Sequence, residues 1–194
     1  MSVIPQQSVD YSKNYAFKTN NNISVVLDPM QFDHFHEGTE HSFSWKWINL
    51  PMKSAGRRLN KLVVYNNTYE PLSISILIKY ELMKNYDSPL VYYSPSKDAL
   101  VAYDGSRYRL FGGISEYGTG EQFSTVKINV NEWGEGHPLH FQPLTKKSNG
   151  WGLEFQMHLQ KKSSSFLYEW EFLSHKLSEL EELHSQYHEL LSGK

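Results

Sequence analysis

Leu72-Ser73-Ile74-Ser75-Ile76-Leu77-Ile78-Lys79-Tyr80-Glu81-Leu82 is the stretch that decides the fold class. Leu72, Ile74, Ile76, Ile78, Tyr80 and Leu82 share one face, while Ser73, Ser75, Lys79 and Glu81 share the other. Side chains alternate across a strand but wind at about 3.6 residues per turn around a helix, so this run specifies a half-buried β-strand. Trp151, Leu153, Phe155, Met157 and Leu159 repeat the pattern, with Glu154, Gln156, His158 and Gln160 turned the other way.

Shorter strands are expected on either side of these two. They are Ile23–Leu27, the run carrying Phe43, Trp45 and Trp47, then Leu62–Tyr65, Leu90–Tyr93, Ala99–Tyr103, Tyr108–Phe111 and Phe123–Val130. Asp104-Gly105 is a hairpin signal, because both residues tolerate the positive φ that tight turns require. Many short strands, punctuated by Gly, Pro, Asn and Asp and with no helical segment among them, predict a mainly β fold. The expected architecture is an antiparallel two-sheet sandwich, jelly-roll-like, with each sheet wet on its outer side.

The domain reading has three parts. Residues 1–22, polar and rich in Gln, Asn and Ser, predict a loose arm with at most an edge strand near Tyr15–Phe17. Residues 23–162 form the sandwich. From 163 to 194 the apolar positions Phe166, Trp170, Leu173, Leu177, Leu180, Tyr187 and Leu191 fall three and four apart or in multiples of that spacing. That period predicts one long amphipathic helix, with Ser163–Ser165 as N-cap candidates and Gly193 past its end.

Composition narrows the function classes. The 194 residues contain no cysteine, which excludes disulfides, thiolate metal sites and a cysteine nucleophile. No secretory leader pattern opens the sequence and no apolar run approaches the ~18 residues of a membrane span, so a cytoplasmic location is expected. With a net charge of −2, the chain lacks the basic stripe of a nucleic-acid binder. Its one basic cluster, Lys53, Arg57, Arg58 and Lys61, reads as a solvated loop. Phosphate loops, the Gly-x-Ser-x-Gly elbow and the His-Glu-x-x-His helix are missing.

Three features carry functional expectations. The long terminal helix offers Trp170, Leu173, Leu177, Leu180, His184, Tyr187 and Leu191 as a seam for a protein partner or a second copy, which makes a non-enzymatic binding or assembly protein the leading reading. Trp133, set among Asn131, Glu132 and Gly134, is expected to be exposed and to stack on a sugar ring, which makes a carbohydrate-binding sandwich the alternative. The third feature is Asp33-His34-Phe35-His36-Glu37-Gly38-Thr39-Glu40-His41, where a turn at Gly38 would bring Glu40 or His41 back toward the imidazoles of His34 and His36. His34-x-His36 with Glu40 resembles the first metal motif of the cupins, which are jelly rolls. The resemblance spans seven residues and implies His34, His36 and Glu40 as ligands of a divalent metal. No other cofactor is expected.

Overall fold

The computed structural model describes residues 10–20, 22–83, 87–118 and 120–192. Its strands are β1 (Tyr11–Thr19), β2 (Asn22–Leu27), β3 (Phe35–Thr39), β4 (Phe43–Leu50), β5 (Arg57–Asn66), β6 (Leu72–Leu82) and β7 (Leu90–Ser94), then β8 (Ala99–Tyr103), β9 (Tyr108–Ser115), β10 (Gln122–Ser124), β11 (Leu144–Thr145), β12 (Gly150–Leu159) and β13 (Ser164–Ser174). A short helix α1 (Val130–Gly134) precedes β11, and α2 (Leu177–Leu191) follows β13. A single 3₁₀ turn at Pro29–Gln31 joins β2 to β3.

The strands form two antiparallel sheets packed face to face, as the alternation predicts. The first has the order β10-β12-β6-β1-β2 and the second β11-β7-β8-β9-β13-β5-β4-β3. Ile74, Ile76 and Ile78 of β6 are buried between the sheets, together with Trp151, Leu153, Phe155 and Met157 of β12. Across from them lie Phe43, Trp45 and Trp47 of β4, and Leu62 and Val64 of β5. The Asp104-Gly105 hairpin is present: Gly105 has φ +93°, and the Asp104 carboxylate accepts from the Ser106 and Arg107 amides at 3.0 and 2.8 Å.

Four expectations are corrected. Residues 11–19 are not a loose arm. They form β1, hydrogen-bonded to β2 on one side and β6 on the other, with Tyr15 and Phe17 fully buried. (Residues 1–9 of the expected arm, and Gly193, lie outside the described residues.) The Phe123–Val130 strand stops at Ser124, and the chain then crosses the outer face of the first sheet. The expected helix begins at Leu177, because residues 164–174 are β13 paired with both β5 and β9. Finally, the outer faces are not simply wet. Segment 126–139 places Ile128, Trp133 and Leu139 on Ala16 and Leu77, while α2 lies on Val101, Leu110, Trp170 and Phe172.

Candidate functional site

Strand register places an unusual row of polar groups across the second sheet, buried at Asn60, Glu169 and Glu171 and exposed at Asn49 and Arg58. Asn49 of β4 pairs with Asn60 of β5, Asn60 with Glu169 of β13, and Arg58 with Glu171. Glu169 and Glu171 alternate with Trp170 and Phe172, so when those rings take the face under α2 the carboxylates must point between the sheets. On the opposing strand β1, Tyr11, Lys13 and Tyr15 share the inward face.

A buried network results. The Lys13 ammonium donates to Glu169 Oε1 at 2.5 Å and to Glu171 Oε1 at 2.9 Å. Tyr15 and Asn60 also donate to Glu169 Oε1, Tyr11 donates to Glu171 Oε2, and the Trp47 indole N–H donates to the Tyr15 hydroxyl at 3.2 Å. Burial works against the Lys13 ammonium, but Glu169 and Glu171 more than offset it and hold its pKa well above the usual lysine value. Burial likewise opposes the Glu171 carboxylate, yet Lys13 and the Tyr11 hydroxyl keep it below the usual carboxylate range. Tyr15 is pushed up by burial and then by Glu169, so its phenol stays protonated and a donor. Rings of Tyr11, Tyr80, Phe111 and Trp151, with centroids 4.5–6.0 Å apart, close the network on one side.

Tyr11, Lys13, Trp47 and Asn60 carry the network up to a cleft of about 430 Å³ at one end of the sandwich, with Glu169 and Glu171 beneath them. One wall is Asp10, Tyr11, Met30 and Phe32; the other is Trp47, Asn49, Met52, Arg57, Arg58 and Asn60, with His34 at the rim. That volume falls in the range of small-molecule sites, roughly 300–1,000 Å³. A neighbouring recess of about 160 Å³ shares Arg57 and Arg58 and adds Arg109 and Glu171. The site can therefore offer ring and thioether surface together with amide, imidazole and guanidinium donors.

Few of the residues singled out from sequence belong to it. His34 lines the cleft, but His36 stacks on Phe32 with centroids 4.1 Å apart. Gly38 makes no turn: β3 runs straight through it, and a Cβ there would meet the Trp45 indole at 2.5 Å. Four residues of extended chain place Glu40 about 13 Å beyond His36, too far to share an ion. Among the described residues no group of three or more His, Cys, Asp or Glu is placed to hold a metal. Trp133 is not exposed either. It is 2% accessible, the Lys18 ammonium lies 4.4 Å from its ring centroid, and it serves as an apolar anchor for the crossing segment.

The proposed helical seam divides in two. Trp170 and Leu173 are on β13, while Leu177, Leu180, His184, Tyr187 and Leu191 of α2 face the chain's own second sheet. His184 Nδ1 accepts from the Trp170 indole at 3.2 Å, in space left by Gly112, where a Cβ would lie 2.7 Å from the indole nitrogen. Sequence reasoning missed Lys13, Glu169, Glu171 and the clefted ends of β4 and β5. The available signal was Tyr168-Glu169-Trp170-Glu171-Phe172, an acid/aromatic alternation of period two that cannot amphipathically suit a helix.

No family model matches the chain, and no curated protein matches it in sequence. Among solved structures, a polysaccharide lyase superposes with a TM-score of 0.56 at 10% identity over 90% of this chain. A bacterial glucoamylase complexed with acarbose superposes with a TM-score of 0.57 at 12% identity over 94%. This chain spans only 27% and 29% of those two proteins, so the likeness is to one part of each and is a likeness of fold.

Proposed function

We propose that the chain is a saccharide-binding β-sandwich whose ligand lies in the cleft lined by Tyr11, Lys13, Phe32, Asn49, Arg58 and Asn60. The observation that carries this reading is the pairing of surfaces in one concavity. A pyranose has apolar C–H faces and a rim of hydroxyls. Phe32, Met30 and Met52 suit the faces, and Asn49, His34 and Arg58 suit the hydroxyls. Fold likeness to parts of two proteins named for carbohydrate substrates or inhibitors supports the same class, without carrying their activities over. Assembly through α2 fits less well, because the apolar face it would need is already packed on β9 and β13.

Titration calorimetry against a panel of neutral and acidic oligosaccharides tests the proposal. Binding is expected in at least one class, and removing the exposed cleft groups with His34→Ala and Asn49→Ala should each weaken it about tenfold, or 1.4 kcal/mol. Circular dichroism should be unchanged, since both side chains are exposed. Binding that is indifferent to both substitutions, or absent across the panel, overturns the reading.

A further inference from the structure

Resting on the saccharide reading, we infer that the preferred ligand is an acidic saccharide whose anionic group is held by Arg57 and Arg58. The basic cluster that looks like a solvated loop in sequence is placed by the fold at the start of β5, on the wall shared by the two recesses. The charge balance there is specific. Lys13 carries one charge against the two carboxylates of Glu169 and Glu171, so it has none to spare for a ligand, and the second carboxylate draws on Arg58. Arg58 reaches Glu171 only at 3.9 Å and its side chain is 70% exposed. Among the described residues Arg57 has no carboxylate within ion-pair distance, and Arg109 lies instead with its guanidinium 4.8 Å from the Tyr11 ring centroid. Arg107, the next cation along, is occupied by Asp104 at 3.6 Å.

Arg57 and Arg58 line both recesses, Arg109 and Glu171 join them in the smaller one, and among the described residues Asp10 is the one acid lining the larger recess, so the guanidinium groups outnumber the carboxylates at the mouth. Guanidinium presents parallel N–H donors in a plane that matches a carboxylate or a sulfate ester, and it is less costly to desolvate than an ammonium. A concave wall also concentrates the field of such groups. A neutral sugar would leave this charge unused; a hexuronate or a sulfated sugar would pair with it.

Affinities measured for four probes on the full chain decide the matter: an oligogalacturonate, its methyl ester, a sulfated oligosaccharide and a neutral gluco-oligosaccharide. The acid is expected to bind at least tenfold tighter than its methyl ester, which has the same shape without the charge. That ratio should fall as salt rises and shrink toward unity in Arg57→Gln/Arg58→Gln. Tighter binding of the sulfated probe than of the uronate would assign the anion to sulfate within the same inference. Equal affinity for acid and ester overturns the acidic preference, and a preference that survives the double substitution overturns its assignment to Arg57 and Arg58; either outcome leaves saccharide binding intact. Failure of all four probes overturns the saccharide reading itself, and this inference with it.

Discussion

One oxygen of the Glu169 carboxylate is crowded and the other is bare. Oε1 accepts from Lys13, Tyr15 and Asn60, whereas Oε2 is buried without a hydrogen-bond partner among the described residues. Taking an ion out of water costs several kcal/mol even after relaxation, so this cluster is tolerable only because its charges are matched at contact distance. Lys13 is the shared cation. Lys13→Met keeps the aliphatic bulk but strands two carboxylates in the interior, and should destabilise the fold by about 3–5 kcal/mol. The shift in guanidinium midpoint at neutral pH measures it; a shift near zero would mean water or another cation reaches the carboxylates. Sequence could not point to this residue. Lys13 sits in a polar tract, and a lysine is almost never fully buried unless paired, with partners here 156 and 158 residues away.

At the scale of elements, β13 and α2 explain each other. Phe166, Tyr168, Trp170 and Phe172 occupy one face of β13 with period two, yet Phe166 and Trp170 are also four apart, which a helical reading accepts. Buried glutamates on the other face hid the strand, because inward carboxylates look like an outward polar face. Only pairing with β5 and β9 reveals which face is inside. The helix is then anchored by His184, whose ring is buried and whose Nδ1 accepts a hydrogen bond from the Trp170 indole N–H. Burial depresses its pKa from 6.5 to about 4. The unfolded chain therefore binds a proton between about pH 6.5 and 4 that the folded chain refuses. Stability from this site is fully present above about pH 6.5 and is lost as pH falls toward 4, by up to roughly 3 kcal/mol. Denaturation curves at steps from pH 7 to 4 should show this slope, and His184→Asn, which retains an acceptor but no titrating ring, should flatten it. An unchanged slope in the variant would place the acid sensitivity elsewhere.

Across the whole molecule, β1 is the piece that joins everything. It lies between β2 and β6, both drawn from later sequence, and its inward side chains bond to β13 near the other end of the chain. β12 likewise pairs with β6 across the intervening elements β7 to β11. Contacts this distant in sequence must be closed against chain entropy before they stabilise anything, so refolding is expected in the millisecond-to-second range. Deleting residues 1–19 should leave a chain without cooperative thermal unfolding, because β2 loses its partner and the buried glutamates lose Lys13. A sharp transition in that truncation would show that the first sheet closes without β1.

Period-two alternation in β6 and β12, together with the Asp104-Gly105 turn, was sufficient for an antiparallel two-sheet fold, and the three-and-four spacing of Leu177, Leu180, Tyr187 and Leu191 for a C-terminal helix, since these are local patterns set by backbone geometry. Position within the fold was not legible in the same way. Whether Trp133 lay inside or out, whether the histidines of β3 converged, where β13 ended and α2 began, and which acids were buried all depended on what packed against each face. The same holds for the cleft: Arg57 and Arg58 look like loop charges until β5 is laid beside β4 and β13 and opposite β1. Alternation identifies two faces of a strand, but only the neighbouring sheet, or the helix laid over it, determines which of them leaves water.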